Sequence, residues 1–246
     1  MYAADATKLD NATCQTCHDG KKGKLAVAGK DGAHELAAVD AVKYGKSIHG
    51  DMQCVECHKE ITDAKANHAK AAGVSAPDCI SCHESLWAQA QKDKLTDEKP
   101  RLGLVVENIA AYKQSFHAKP DDDNPDKAKA SCEQCHSTHT FNVPPKGSER
   151  RTAWHREIPK TCGEQCHEDQ YEEYQASIHG EEVLEKGNAK AAVCTDCHSA
   201  HSVTNTSSDK FKLANVNACG SCHKEEFKSY TDTYHGQVNR LGFTYT

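Results

Sequence analysis

The segment Cys132–His139, CEQCHSTH, holds two cysteines separated by two residues, a histidine directly after the second cysteine and another histidine three residues later. The part that runs from the first cysteine to the first histidine occurs seven times and uses all 14 cysteines of the 246-residue chain. Six copies read C-x-x-C-H, and the copy at Cys162–His167 has three residues between its cysteines. The fold therefore has to be explained around these seven segments.

C-x-x-C-H is the attachment signature of c-type haem. On a helical turn the two cysteines lie on one face, where each can form a thioether with a haem vinyl group, and the histidine can bind the iron. Cysteines four apart differ by about 40° around a helix and those three apart by about 60° in the opposite sense, so the longer copy also keeps its pair on one face. Disulfides and zinc sites are the alternatives, but neither needs a histidine after every second cysteine. The pattern predicts seven covalently attached haem c groups.

The seven segments are numbered site 1 to site 7 in chain order, and their residues form two predicted ligand sets. The predicted thioether cysteines are Cys14, Cys17, Cys54, Cys57, Cys79, Cys82, Cys132, Cys135, Cys162, Cys166, Cys194, Cys197, Cys219 and Cys222. The predicted proximal iron ligands are His18, His58, His83, His136, His167, His198 and His223.

The composition lacks the apolar side chains of an ordinary core. Leu, Ile, Val and Phe together make up 34 of 246 residues, and aromatic residues make up 6%. A polar chain of this kind does not fold around its own side chains alone. We predict a mainly α-helical fold with much irregular coil and little β structure, in which seven stacked haems replace the hydrophobic core. The predicted division is residues 1–95 with haems 1 to 3 and residues 96–246 with haems 4 to 7; one continuous elongated domain is the alternative.

A second motif, Y-x-x-[S/T]-x-H-[G/A], recurs between the sites and is called the tyrosine motif below. Its copies are YGKSIHG (Tyr44–Gly50), YKQSFHA (Tyr112–Ala118), YQASIHG (Tyr174–Gly180) and YTDTYHG (Tyr230–Gly236). Each of the first three is followed by a leading site with an extra histidine after it and then by a trailing site. This order predicts three tandem units, residues 44–83, 112–167 and 174–223. Gly180 and Gly236 are predicted to be left-handed caps of the preceding helices.

The histidines outside the seven sites can supply a second axial ligand to each iron. The predicted distal ligands are His49, His68, His117, His139, His179, His201 and His235. His34 and His155 fall outside the repeat and form a second tier of distal candidates. The 12 residues from His167 to His179 span about 18 Å on a helix, so these two histidines are expected to serve different irons. The second histidine of CHSTH or CHSAH is likewise expected to serve a haem other than its own. Bis-histidine ligation predicts low potentials, because methionine ligation, which raises them, is scarcely available.

Charge and hydropathy restrict the partners and the location. Each oxidised haem adds roughly one negative charge to a chain whose net charge is already −6, which disfavours nucleic acid as a partner. Haem is attached to C-x-x-C-H outside the cytoplasm, so we predict an exported protein of the periplasm or the cell surface and extracellular space. The start MYAADATKLD has no apolar stretch, and a signal peptide is expected to be absent from this numbering. No window approaches 18 apolar residues, so no transmembrane segment is predicted.

The tyrosine motif alternating with C-x-x-C-H and C-x-x-C-H-x-x-H resembles the multihaem c-type cytochromes of anaerobic respiration. These include the decahaem conduit cytochromes and the filament-forming extracellular cytochromes of metal-reducing bacteria. The resemblance covers Cys14 to Gly236. It implies a near-continuous row of bis-histidine haems that carries electrons in anaerobic or extracellular respiration. The implied partners are other redox proteins or extracellular or periplasmic electron acceptors.

Electron transfer without catalysis is the predicted function, because six-coordinate iron leaves no position for a substrate. The alternative is a multihaem reductase of a small nitrogen or sulfur compound with one open haem. The chain has no C-x-x-C-K, the substituted motif that resembles the catalytic site of pentahaem nitrite reductases. The assembly state stays open, and one hypothesis is a homopolymer in which His235 coordinates the first haem of a neighbouring subunit.

Overall fold

The computed structural model describes residues 9–29, 32–64, 68 and 76–244. It is mainly helical with much coil, which confirms the predicted fold class at this coarse level. The described helices are α1 (Asn11–His18), α2 (Ala41–Gly45), α3 (Cys54–Cys57), α4 (Cys79–Lys92), α5 (Pro100–Lys113), α6 (Cys132–Cys135), α7 (Glu149–Arg156), α8 (Ile158–Gly163), α9 (Glu168–Gln175), α10 (Ile178–Gly180), α11 (Cys194–His198), α12 (Asp209–Cys222), α13 (Lys224–Thr231) and α14 (Tyr234–Arg240). A single turn of π-helix, Glu181–Glu185, follows α10.

One antiparallel hairpin forms the strand structure of the described residues. Strand β1 (Leu25–Gly29) pairs with β2 (Gly32–Leu36), with Leu25 opposite Leu36 and Val27 opposite His34. His34, a second-tier distal candidate, therefore has a defined place in the backbone register, whereas its side chain lies outside the described part of the chain. The hairpin stands between site 1 and the first tyrosine motif.

The chain divides into two compact units. Unit 1 consists of Met1–Cys82 and His136–Val143, and unit 2 of His83–Cys135 and Pro144–Thr246. Sites 1 and 2 lie wholly in unit 1, and sites 5, 6 and 7 lie wholly in unit 2. The predicted grouping of haems 1 to 3 and 4 to 7 concerns the cofactors and stays a prediction.

Within unit 2, α4 and α5 pack where a glycine allows close approach. A Cβ added at Gly103 would stand 2.9 Å from the end of the Trp87 ring, so Trp87 lies directly over the glycine backbone. Helix α5 contains the apolar segment 102–111, and Pro100 occupies its first position, where a missing N–H costs nothing.

The polypeptide buries few of its own apolar side chains. Among the described residues the buried hydrophobic side chains are Tyr44, Ala90, Val183 and Val193. The accessible surface is 17493 Å², whereas a folded protein of 26.9 kDa exposes about 11,000 Å². The described residues therefore do not form the continuous core that a chain of this length would ordinarily provide.

The prediction of left-handed caps at Gly180 and Gly236 is wrong. Gly180 has φ −65° and ψ −45°, which is right-handed helical backbone. Helix α9 already ends at Gln175, and Ser177 begins a new helix whose last residue is Gly180. The glycine is required for space instead, because an added Cβ would stand 1.9 Å from the carbonyl oxygen of Tyr174. At Gly236 the corresponding distance, to the carbonyl oxygen of Tyr230, is 2.1 Å.

Candidate haem sites

The cysteines of each site lie on or next to a helical turn. Helices α3, α4, α6 and α11 begin at the first cysteine of sites 2, 3, 4 and 6, whereas α1, α8 and α12 carry cysteines of sites 1, 5 and 7 nearer their ends. All 14 cysteines lie in the described ranges and all are free thiols. In the same ranges no group of three or more His, Cys, Asp or Glu side chains is arranged to hold a bare metal ion.

Proximal and distal histidine candidates face each other in four places. The ring centroids are 6.0 Å apart for His18 and His68, 6.3 Å for His58 and His139, 6.1 Å for His117 and His167, and 6.0 Å for His179 and His223. Two metal–imidazole bonds of about 2 Å, with about 1 Å from each nitrogen to its ring centre, place two rings on one iron about 6 Å apart. These residues therefore fit one haem iron between each pair, at sites 1, 2, 5 and 7.

Every facing pair joins one histidine from a site with one from outside the sites. His139 lies against His58 of site 2, although it stands only three residues after His136. His167 and His179, 12 residues apart, face His117 and His223 instead of each other. This geometry agrees with the expectation that neighbouring histidines in the sequence serve different irons.

Burial favours the neutral form of several of these imidazoles. It lowers the pKa of His18, His117 and His139 below the ordinary histidine value, with smaller effects of neighbouring histidines. A metal-binding imidazole must present an unprotonated nitrogen, so a lowered pKa favours iron binding at neutral pH. Burial likewise lowers the pKa of the distal candidates His49 and His201, which stay predictions as ligands.

The tyrosine motif attaches each repeat unit to its own leading site. The Tyr44 hydroxyl donates to the carbonyl oxygen of Met52 at 2.9 Å, that of Tyr112 to Ala130 at 2.7 Å, and that of Tyr174 to Ala192 at 2.9 Å. Each acceptor stands two residues before the first cysteine of sites 2, 4 and 6. The fourth copy differs, since Tyr230 donates to the Asn239 side chain.

The serine or threonine of the tyrosine motif begins the short helix that carries the motif histidine. Ser177 accepts from the Gly180 N–H at 3.1 Å, and Thr233 accepts from the Gly236 N–H at 3.1 Å. Both hydroxyls also donate to the carbonyl of the motif tyrosine at 2.7 Å. This N-cap fixes the turn between tyrosine and histidine, and it explains why the motif requires a hydroxyl at this position.

A hydrogen bond from a backbone N–H to a side-chain oxygen closes the turn of each leading site. The sequence alone did not reveal this bond. The residue before the first cysteine donates its N–H to the residue before the second: Gln53 to Glu56 at 2.6 Å, Ser131 to Gln134 at 2.6 Å and Val193 to Asp196 at 2.8 Å. The available signal was a carboxylate or amide before the second cysteine of CVECH, CEQCH and CTDCH.

Within unit 1, the cysteines of sites 1 to 3 follow each other in space in their chain order. Asn11 of α1 accepts from the Cys54 N–H at 2.7 Å, and its side-chain amide donates to Met52 at 2.9 Å, which joins sites 1 and 2. Burial and the neighbouring Cys14 raise the pKa of Cys54 to about 11. Burial also raises the pKa of Cys57, with the charges of Cys79 and Cys82 adding to the effect.

Within unit 2, the cysteines of sites 4 to 7 are likewise neighbours in chain order. Burial raises the pKa of Cys135, and the charge of Cys166 adds to it. A hydrogen bond with Cys194, together with burial, raises the pKa of Cys162. Burial raises the pKa of Cys197, and the charge of Cys219 raises it further. The cysteines of site 4 therefore lie near those of site 5, those of site 5 near those of site 6, and those of site 6 near those of site 7.

Sites 5 and 7 share a glycine after the first cysteine. A Cβ at Gly163 would stand 2.3 Å from the Cβ of Tyr171, and one at Gly220 would stand 2.5 Å from the Cγ of Phe227. The aromatic residue comes in each case from the helix that leads on to the next tyrosine motif. Close packing of that helix on the site therefore depends on the glycine.

The remaining distal candidates have other surroundings. His235 is exposed, and its ring contacts Tyr234. The Nε2 atom of His155 lies 3.2 Å from a carboxylate oxygen of Asp196, the residue that closes the turn of site 6. Neither is paired with an imidazole in the described part of the chain.

No protein-family model, no curated protein and no solved structure matches the chain. No helix in the described ranges is long and apolar enough to cross a membrane.

Proposed function

We propose that the chain is a multihaem c-type cytochrome. More particularly, it is a low-potential heptahaem electron carrier whose irons are held mainly by pairs of histidines, in which a row of haems takes the place of the missing core. The observation that supports this most strongly is the set of four facing imidazole pairs at 6.0 to 6.3 Å, each next to a cysteine pair.

The roles of the residues follow from their chemistry. A bound haem supplies an iron that accepts and releases one electron, and the protein supplies attachment, orientation and electrostatics. The two cysteines of each site would attach the haem covalently, and the facing imidazoles would be its iron ligands. The motif tyrosines and the leading-site capping bonds fix the turns that carry these ligands. Burial of the imidazoles favours their uncharged form, which is the form that binds a metal.

The arrangement of the thiols supports conduction along the chain order. The cysteines of sites 1, 2 and 3 are neighbours within unit 1, and the cysteines of sites 4, 5, 6 and 7 are neighbours within unit 2. Short steps between successive sites allow electrons to move without bond chemistry. Sites 1 and 7 are the proposed points of entry and exit. The unusually large exposed surface of the polypeptide is the area that seven cofactors would cover.

The proposed setting is anaerobic or extracellular respiration in the periplasm or outside the cell. The proposed partners are other redox proteins or electron acceptors there. The net charge of −6, made more negative by haem propionates, favours basic partner surfaces.

The proposal is tested by producing the chain with an export signal in a host that matures c-type cytochromes. Intact mass and the haem content per chain are expected to show seven covalent haems, and a redox titration to show low potentials throughout. Fewer than seven haems, or potentials typical of methionine ligation, would contradict the proposal. Turnover of nitrite, hydroxylamine or tetrathionate would favour the reductase alternative.

A further inference from the structure

A phenylalanine ring lies against the site histidine at leading sites 4 and 6. At site 4 the ring centroids of Phe141 and His136 are 4.4 Å apart, and the ring planes are inclined by 66°. At site 6 the centroids of Phe211 and His198 are 5.0 Å apart, and the planes are inclined by 12°. Each pair lies within one compact unit. Rings this close are in contact, so each phenylalanine restricts the orientation of its imidazole.

The two phenylalanines come from different positions of the repeat. Phe141 stands five residues after the histidine of site 4, and its carbonyl accepts from the N–H of Ile48 in the first tyrosine motif at 2.9 Å. Five residues after the histidine of site 6 stands Val203, whose carbonyl accepts from the N–H of Phe116 in the second tyrosine motif at 2.7 Å. The backbone contact is therefore repeated while the side chain is not. Phe211, from helix α12, provides the ring at site 6.

The contact at site 6 leaves the imidazole able to bind iron. Ser208 is the N-cap of α12, and its hydroxyl accepts from the Phe211 N–H at 3.2 Å, which holds Phe211 in the first turn. With nearly parallel planes, the phenyl ring lies over the face of the His198 imidazole. An imidazole binds a metal through a nitrogen at its edge and in its own plane, so a ring on its face does not block that bond.

Resting on the proposed function, we propose that Phe141 and Phe211 are positioning residues, which fix the rotation of the proximal imidazoles at sites 4 and 6 about their bonds to iron. Groups around a metal ligand orient it and tune the metal. The rotation of an axial imidazole determines its overlap with the iron orbitals, and therefore the paramagnetic resonance signal of a low-spin ferric haem. A phenyl ring supplied from two different sequence positions indicates that the ring itself is required.

The test uses the matured full-length chain with seven haems. Phe141→Leu and Phe211→Leu keep an apolar side chain but remove the flat ring. Each is expected to shift the low-spin resonance signal of one haem, and the two variants are expected to affect different haems. A redox titration of each variant is expected to show one component shifted. Phe141→Tyr and Phe211→Tyr keep the ring at partly exposed positions, and the unaltered spectrum is expected for both.

Phe243→Leu is the matched control, because Phe243 is 61% exposed and its replacement is expected to leave all seven signals unchanged. Leucine variants with the spectrum and potentials of the unaltered chain overturn the proposal. A lower stability without any spectral change also overturns it, since the rings would then serve packing alone. Tyrosine variants that change the spectrum as much as the leucine variants do would contradict a role of the flat ring. An unaltered chain with fewer than seven haems contradicts the proposed function instead.

Discussion

Sites 5 and 7 occupy corresponding positions in the repeat, yet one has an additional residue between its cysteines. In site 7, helix α12 continues to Cys222, the second cysteine. In site 5, helix α8 ends at Gly163, and Cys166 and His167 follow in a turn. The imidazoles nevertheless face their partners almost identically, at 6.1 Å and 38° for His167 and at 6.0 Å and 35° for His223. The additional residue is accommodated by an earlier end of the helix, so the distance and angle between the facing imidazoles are kept.

The largest expected effect on this comparison comes from removing the cysteines. Cys162→Ala with Cys166→Ala, and Cys219→Ala with Cys222→Ala, are each expected to lower the haem content from seven to six, because the thioethers provide the covalent attachment. Intact mass spectrometry measures the loss. If the site 5 variant keeps seven haems, CGEQCH is not an attachment site and the two sites are not equivalent.

The second-largest effect is expected from replacing the glycine that follows the first cysteine in both sites. Gly163→Ala and Gly220→Ala are each expected to destabilise the protein by about 1–3 kcal/mol, because the added Cβ overlaps Tyr171 or Phe227. Chemical denaturation of the matured protein measures the change. Gly45→Ala is the matched control, since an added Cβ there meets nothing within 4 Å. Equal stability of all three variants would show that the aromatic packing is unimportant.

Replacing the facing histidines probes each iron separately. His117→Met and His179→Met are expected to raise the potential of one haem each, on the order of 0.1 V within the roughly 0.8 V that axial ligands span. A redox titration followed optically detects one component moving upward. If His179→Met moves no component, His179 is not a ligand and the facing geometry at site 7 has another cause.

A smaller effect is expected from the motif tyrosine that precedes site 6. Tyr174→Phe loses the bond to the Ala192 carbonyl and is expected to cost about 1 kcal/mol of stability. Tyr112→Phe, which loses the equivalent bond to Ala130, should behave alike. Unequal losses in denaturation experiments would show that the repeat units are anchored differently.

The smallest effect is expected from shortening site 5. Deleting Gln165 turns CGEQCH into CGECH. Seven haems are expected to remain, with only a slight change in the paramagnetic resonance signal of one haem. Loss of haem from this variant would show that the surrounding turn requires the additional residue.

The sequence predicted seven sites of two cysteines and a histidine, because covalent haem attachment would demand such a local pattern, and the haems themselves stay a prediction. It also predicted that His139 and His179 would serve irons other than those of their sequence neighbours, since helical rise and periodicity limit their reach. The prediction failed at Gly180, where a left-handed cap was expected. Glycine is needed there because a Cβ would clash with a backbone carbonyl oxygen, and not because the backbone is left-handed. Periodicity does not encode such contacts.

For a related reason, the sequence could not predict which distant residues of the chain contact each site. Asn11 joins site 1 to site 2 through contacts between residues more than 40 positions apart. Phe211 reaches His198 from the start of another helix. A local motif carries no information about such pairs, and only the folded chain brings them together.

The central claim is that iron lies between the facing imidazoles. Crystals of the matured protein, measured at the iron absorption edge, would give an anomalous map that locates each iron directly. The account predicts peaks midway between His18 and His68, His58 and His139, His117 and His167, and His179 and His223. Peaks that lie away from these pairs, or their absence, would contradict it.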